Sequence, residues 1–259
     1  APERRDVPMT LHRFFISAPV PDGGGVVPLS AEDVHHLKDV LRLGQGDEII
    51  VVAAGEAVRV RLTHVGETVE GAPVGVVPDG ASFGVTLVQG LAKGEKMDAV
   101  VRQATEIGVS RIVPLASERS VVRLDERRAA ARLERWRRIA TEAAKQSQRA
   151  AVPEIAPVSN IEGLPGELGG ARMFVCWEDA EDAPGIDAAI TDAALDPATP
   201  VAVVVGPEGG FTAEEVREMV GRGAATVSLG STVLRTETAG GVAAALAIHA
   251  RGGLGGRGE

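Results

Sequence analysis

The stretch Val201-Ala-Val-Val-Val-Gly-Pro-Glu-Gly-Gly-Phe-Thr-Ala-Glu-Glu215 decides how this chain is read. Its first five residues are apolar and mostly β-branched, which suits a strand covered on both faces. A glycine-rich turn follows, and Thr212 with Glu215 has the spacing of a capping box, the mark of a helix start. Strand, glycine loop and helix in that order make up the repeating unit of a parallel α/β sheet, which binds ligands at the C-terminal ends of its strands. The loop is not a P-loop: no Gly-Lys-Ser/Thr follows it, and Glu208 would repel a triphosphate.

Outward from this stretch the same alternation continues over residues 81–252. Val85–Leu91, Arg111–Leu115, Met173–Trp177 and Thr226–Leu229 read as further strands. A helix after the first carries Met97, Val100, Val101 and Ala104 on one face and stops at Gly108. A longer one, about 125–150, turns Ala129, Leu133, Trp136, Ala140, Ala143 and Ser147 inward and Arg135, Arg138, Lys145 and Arg149 outward. Residues 178–199 are acidic and rich in Ala and Pro, and read as an exposed connection with weak helix.

Residues 10–80 read as a separate β-rich domain, joined through a linker at Pro78-Asp-Gly-Ala-Ser82. Leu11–Ile16 and Asp47–Val52 are strand-like, and Val58, Val60 and Leu62 alternate with Arg59, Arg61 and Thr63. One helix interrupts them, capped by Ser30 and Asp33, with Val34, Leu37, Val40 and Leu41 on one face. The polar opening, Ala1 to Pro8, is set aside.

With 44% hydrophobic and 24% charged residues in 259, the chain has the composition of a soluble globular protein. No apolar run reaches the ~18 residues of a membrane helix, and no charged-then-apolar leader opens it. Its single cysteine excludes an internal disulfide and a cysteine metal cage, and a cytoplasmic setting is expected. Cys176 lies in an apolar run and reads as a buried thiol. The five histidines are scattered except at 35–36, where helical neighbours diverge by ~100°, so no metal site is expected. The net charge of −9 is unevenly spread. Residues 102–149 hold 12 basic and 6 acidic side chains, whereas 150–220 hold 2 basic and 14 acidic. Screening confines each field to ~8–10 Å, so the basic segment can meet phosphates on an acidic protein; a solvated helix face gives the same count.

Two other glycine-rich segments compete. Gly253-Leu-Gly-Gly-Arg-Gly258 matches the dinucleotide fingerprint in letters only, with neither a strand before it nor a helix after it, and reads as a disordered tail. Leu229-Gly-Ser-Thr-Val-Leu-Arg-Thr-Glu-Thr-Ala-Gly240 instead follows a strand and opens an Ala-rich helix, so Arg235 and free amide donors face one spot.

Taken together, Gly206-Pro-Glu-Gly-Gly-Phe211 and Leu234-Arg-Thr-Glu-Thr-Ala239 resemble the SPOUT class of RNA methyltransferases. Lys93-Gly-Glu-Lys-Met-Asp98, Gln103-Ala-Thr-Glu-Ile-Gly108, Glu118-Arg-Ser-Val-Val122 and Glu142-Ala-Ala-Lys-Gln-Ser-Gln-Arg149 narrow the resemblance. So do His12-Arg-Phe-Phe15 and His36-Leu-Lys-Asp-Val-Leu-Arg42. The whole set, from about Leu11 to Ala250, is similar to the 16S ribosomal RNA uracil-N3-methyltransferase family. That resemblance implies a PUA-like β-barrel for RNA, then an α/β domain threaded as a trefoil knot, which the general rule against knotted chains would not suggest. It also implies a homodimer acting on 16S rRNA of the small ribosomal subunit, with S-adenosylmethionine as cofactor and no metal or membrane.

By motif match, the cofactor is expected against Gly206, Pro207, Glu208, Gly209, Gly210, Leu229, Gly230, Leu234 and Thr236, mostly through backbone groups. Arg235 is expected to stabilise the developing uracil anion; either a side chain, for which Glu237 is the candidate, or water takes the proton. Expected RNA contacts are His12, Arg13, Phe14, Lys38, Arg42, Arg119, Gln146 and Arg149. Thr232 stands where the family often has a basic residue. The alternative, an RNA-binding assembly factor without catalysis, differs in not binding the cofactor.

Overall fold

The computed structural model describes residues 11–16, 18–53, 56–77, 83–120, 125–149, 151–180 and 182–254, with Glu126 described by its backbone alone. These fall into two units. One comprises the described residues up to 77 together with 148, 149 and 151; the other comprises 83–147 and 152–254. The expected linker at 78–82 lies outside the described residues.

In the first unit, β1 (Arg13–Phe15), β2 (Gly25–Val27), β3 (Glu48–Ala53), β4 (Glu56–Val65) and β5 (Val69–Val77) form one sheet in the order β1-β3-β4-β5-β2. Its pairs are antiparallel except β1 with β3. Alternation along β4 works as its sequence dictates: Val60 and Leu62 are buried, whereas Arg59, Arg61 and Thr63 are exposed. Register shifts between Arg59 and Val60 and between Leu62 and His64 bend the strand, as bulges do, and curl the sheet around its core. Phe14, Leu37, Ile49, Val51 and Val69 fill that core.

The helix of this unit differs from its expected face. Helix α1 (Ala31–His35) starts at Ser30, whose hydroxyl accepts from the Asp33 N–H and donates to the Asp33 carboxylate. It runs on as a π-turn over His36–Val40, with the Leu41 N–H reaching back to the His36 carbonyl. The wider turn spoils the 3.6-residue period. Leu37 is therefore fully buried, while Val40, expected on the same face, is 59% exposed.

In the second unit, β6 (Val85–Gly90), β7 (Arg111–Ala116), β8 (Glu154–Ile155), β10 (Arg172–Cys176), β11 (Val201–Val205) and β12 (Ala225–Val227) form a wholly parallel sheet, ordered β12-β10-β11-β6-β7-β8. β9 (Ser159–Asn160) also pairs with β7. Both faces are covered, which is why the strands are continuously apolar. Val201, Val203 and Val205 point into one layer with α2 (Lys96–Ile107), α3 (Glu126–Gln146), α5 (Ile186–Asp192) and α7 (Thr236–Ala250). Ala202 and Val204 point into the other, with α4 (Leu164–Leu168) and α6 (Ala213–Gly221). Helix α3 buries Trp136, Ala140, Ala143 and Ala144. Arg135 faces outward as expected, with its side chain 54% exposed, and its guanidinium donates to the buried carboxylate of Asp98 on α2.

Three further readings are corrected here. The acidic stretch 178–199 contains α5, anchored by buried Ile186 and Ile190, and is no bare connection. The short β8, β9 and α4 escaped notice because two to five residues are too few to show a period. Gly253, assigned to a disordered tail, instead helps to cap α7 together with Gly252: the Gly253 N–H bonds to the Ile248 carbonyl and the Gly252 N–H to that of His249. Residues 255–259 lie outside the described residues, as do Ala1 to Pro8.

Between β6 and β11, where the strand order reverses, Gly90 meets the turn after β11 so closely that a Cβ there would lie 2.3 Å from the Pro207 nitrogen. Gly90→Ala is therefore expected to lower stability by about 1–3 kcal/mol, the cost of overpacking. Gly166→Ala, on α4 with open space around it, is expected to raise it by about 0.5–1 kcal/mol. Urea denaturation of the two variants beside the parent measures both; equal midpoints for Gly90→Ala and the parent would contradict the packing argument.

Candidate active site

Three chain segments leaving β10, β11 and β12 converge at the C-terminal edge of the sheet, beside the switch point of strand order. Together with Lys96 of α2 they line a cavity of about 480 Å³, within the range of small-ligand sites. Cys176 to Glu178, Val205 to Glu208 with Gly210 and Phe211, and Ser228 to Thr236 supply nearly all of its wall.

The middle segment is the glycine loop, and several contacts hold it. Pro207 and Phe211 are buried, and the Gly210 N–H closes a turn onto the Pro207 carbonyl. Gly210 has a φ of 65° and faces the Glu178 carboxylate, which would lie 2.9 Å from any Cβ, so both backbone and space call for glycine there. The expected capping box is complete: Thr212 and Glu215 exchange hydrogen bonds, and the other Glu215 oxygen accepts from the Glu118 N–H at 2.7 Å.

Beneath the cavity lies a buried polar chain. Thr236 at the start of α7 donates its hydroxyl to the Gly206 carbonyl at 2.6 Å and accepts from the Gln89 amide at 2.9 Å. Both side chains are buried, so the Thr236 hydroxyl holds the loop and its hydrogen bonds are already made. Gln89 went unnoticed in the sequence because it reads as one polar letter at the end of an apolar strand.

Charge gathers on the rim. Glu208 accepts from the Lys93 N–H at 3.0 Å and pairs with the Lys96 ammonium at 3.1 Å. Partial burial pushes its carboxyl up. The hydrogen bonds from Lys93 and from its own backbone, with the Lys96 ammonium, outweigh this and hold it below the ordinary glutamate value. The hydrogen bond to Glu208 in turn raises Lys96 above the usual lysine value. Lys96 also lies 3.5 Å from Glu237, whose carboxylate is not part of the cavity wall. Lys96 too was overlooked, because its partners stand 112 and 141 positions away. Burial pushes the Cys176 thiol up to about 12, so it stays protonated at neutral pH and is no nucleophile.

Arg235 differs from its neighbours. It is exposed, lines the cavity, makes no ion pair among the described residues, and no side-chain hydrogen bond caps the helix it begins. Leu229, Gly230, Thr232 and Leu234 share the same wall; Gly209 does not border it.

The residues expected to meet RNA are dispersed. His12, Lys38 and Arg42 are exposed on the first unit, where Arg13 and Arg149 are half-buried. Phe14 is a correction: only 2% exposed, it packs the core of that unit and offers no ring to a base. Arg119 and Gln146 lie on the second unit. Gln146 is exposed, whereas the Arg119 guanidinium donates to the carbonyls of Gly209 and Phe211 and so grips the glycine loop. Among the described residues no group of acidic, histidine or cysteine side chains is arranged to hold a metal, and no helix is long and apolar enough to cross a membrane.

The sequence matches the family described as RNA methyltransferase domain over residues 80–248, and the RNA methyltransferase PUA domain over residues 29–68. It is 31% identical over 217 residues to ribosomal RNA small subunit methyltransferase E of Bacillus subtilis, covering 82% of this chain and 85% of the relative. With the protein of that name from Mycobacterium bovis it shares 32% over 240 residues, 89% of this chain and 88% of the other. The fold superposes on ribosomal RNA small subunit methyltransferase E from Neisseria gonorrhoeae, solved with S-adenosylmethionine bound. The TM-score is 0.77 at 29% identity, over 92% of this chain and 97% of that one. On fold and sequence alike, the chain belongs to the ribosomal RNA small subunit methyltransferase E family, RNA methyltransferases of the SPOUT type with a PUA-like domain.

Proposed function

We propose that this protein transfers a methyl group from S-adenosylmethionine to N3 of a uridine in 16S rRNA of the small ribosomal subunit. The observation that carries this reading is Arg235, a cation without an ion pair among the described residues, at a helix start without a side-chain cap and lining a cavity walled by glycine-loop backbone.

The cavity suits such a cofactor. Its wall offers backbone donors and acceptors from Gly206, Pro207, Gly210, Leu229, Gly230 and Leu234, and apolar surface from Leu229, Leu234 and Phe211. The Trp177 indole N–H is buried without a partner in the same segment. In this reading Thr236 and Gly209 support the site from behind, and Glu208 shapes the loop from its rim.

The bound cofactor supplies a methyl group already activated by the sulfonium. What remains for the protein is alignment of the two centres and departure of the N3 proton, since the imino nitrogen attacks only as the anion. Arg235 supplies a planar, permanently charged donor where that negative charge develops. The free amides of the first turn of α7 lie beside it and add their partial positive charge. Glu237, committed to Lys96 and set back from the cavity, is poorly placed to take the proton, which is assigned to water.

The target reaches the site on the exposed cations. Of the seven basic side chains of α3, four are in ion pairs within the protein, Arg128, Arg135, Arg137 and Lys145; Arg127 and Arg138 are exposed without ion-pair partners among the described residues. His12, Arg13, Lys38, Arg42 and Arg149 are the proposed RNA contacts of the first unit, and Gln146 joins Arg127 and Arg138 on the second. The protein is proposed to work as a homodimer, and Val233, 83% exposed on the cavity loop, is an apolar side chain that a partner subunit would cover.

Arg235→Ala is expected to lower turnover by roughly 10²–10³-fold while changing cofactor affinity much less, because the binding groups are backbone. Arg235→Lys should fall short of full activity, since the charge remains but the planar fork is lost. Nucleoside mass spectrometry of 16S rRNA from a strain lacking the gene, complemented with each variant, reads the outcome. Near-normal N3-methyluridine with Arg235→Ala would overturn the assignment, and its presence without the gene would overturn the function.

Arg149→Glu should weaken RNA binding and flatten its salt dependence while sparing cofactor affinity, as measured by filter binding and calorimetry. Equal losses of both would refute the division. In sedimentation at micromolar protein the chain should run at twice its 26.8 kDa; a species of 26.8 kDa alone would exclude the dimer.

A further inference from the structure

Lys96, on the cavity wall, enters the reading above only as the partner of Glu237. At the Lys96 ammonium three elements distant in sequence meet: the first turn of α2, the glycine loop through Glu208 Oε1 at 3.1 Å, and the first turn of α7 through Glu237 Oε2 at 3.5 Å. Glu208 Oε1 also accepts from the Lys93 N–H, so one carboxylate oxygen is held both by α2 and by the turn that leads into it.

The two carboxylates would repel each other without a cation between them. Glu237 Oε2 is buried and makes no hydrogen bond, so its compensation is the nearby ammonium. Removing that ammonium leaves the buried Oε2 of a partly exposed carboxylate without compensation, where Glu208 already supplies a like charge. Other charged groups on the surrounding elements do not substitute for it. Arg235 makes no ion pair, Arg119 is spent on the carbonyls of Gly209 and Phe211, and Arg135 on Asp98. Glu178, across the cavity, adds further negative charge.

We propose that Lys96 is a positioning residue for methyl transfer: by bridging Glu208 and Glu237 it fixes the glycine loop against the start of α7. The loop's backbone groups and Arg235 are thereby held in one geometry. This rests on the functional reading above. It gives Glu208 the task of shaping the loop, and it makes the Glu237 carboxylate part of the bridge.

The test uses the full-length protein with Lys96→Met, which keeps the stem, Lys96→Arg, which keeps the charge, Glu208→Gln, and the Lys96→Met/Glu208→Gln double variant. S-adenosylmethionine affinity is measured by calorimetry across the acid range, with kcat and KM on assembled small subunits and thermal melting as a fold control. Lys96→Met is expected to bind the cofactor about 10- to 100-fold more weakly, the scale of a lost charged hydrogen bond. Lys96→Arg should recover most of this, and the double variant should regain part of it because the repelling pair is gone.

The pH profile separates this from a general structural role. In the parent the bridge holds Glu208 ionised, so affinity is retained as pH falls and is lost only below the ordinary glutamate value of about 4.3. In Lys96→Met there is no bridge to lose, and protonating Glu208 relieves its repulsion of Glu237, so affinity should hold or rise over the range in which the parent loses it; with Gln at 208 this acid limb should vanish. A lower melting temperature with an unmoved acid limb and no rescue in the double variant would overturn the inference, as would parental Kd, kcat and pH profile in Lys96→Met. If Lys96→Met does not fold, Glu208→Gln decides: weakened binding supports the bridge, and parental Kd and kcat overturn it. A parent that neither binds the cofactor nor methylates would instead defeat the functional reading, so the two failures are distinguishable.

Discussion

The hydrogen bond from the Thr236 hydroxyl to the Gly206 carbonyl, completed by the Gln89 amide, joins the parts on which the cavity depends. It ties the end of β6, the loop after β11 and the first turn of α7 at one buried point. In a low-dielectric interior a polar group left without its partner costs more than a made bond contributes, so these two side chains and one carbonyl favour one arrangement. The order of the sheet follows the same demand, since β6 and β11 must be neighbours for Gln89 to reach both loops.

Around that point the loop is held from two sides. Lys93, in the turn before α2, and Lys96, in its first turn, grip Glu208, while Arg119 and the Glu118 N–H take hold of Gly209, Phe211 and Glu215 from the turn after β7. A loop of three glycines would otherwise lose its shape to backbone entropy. Most polar side chains near the cavity therefore serve the protein, and the ligand is left with backbone groups. Arg235 is the exception among the cations of the wall, which gives a physical reason for assigning it to the reaction.

The same sorting applies to the basic segment. Counting charges along 102–149 suggests one continuous basic surface, yet Arg111, Arg119, Arg135 and Arg137 are engaged within the protein. Arg111 sits between Glu154 and Glu167, and Arg135 neutralises a buried aspartate. What remains exposed is a smaller set, and it is this set that governs any salt-dependent encounter with phosphate.

The sequence alone determined the class of fold and the place of the site. The unbroken apolar run Val201–Val205 requires burial on both faces, and the Thr212/Glu215 box and Gly108 fix helix ends by local chemistry. These signals are legible because they depend on residues within four positions of one another. The tertiary structure decided what depends on distant pairs: that Gln89 and Lys96 belong to the site, that Arg119 turns to the glycine loop, and that Phe14 is core. It also decided that a π-turn rotates Val40 into solvent. The physical reason is common to all of them. A side chain's partner is set by which strands the sheet makes adjacent, and strand order leaves no mark on the local spacing of residues.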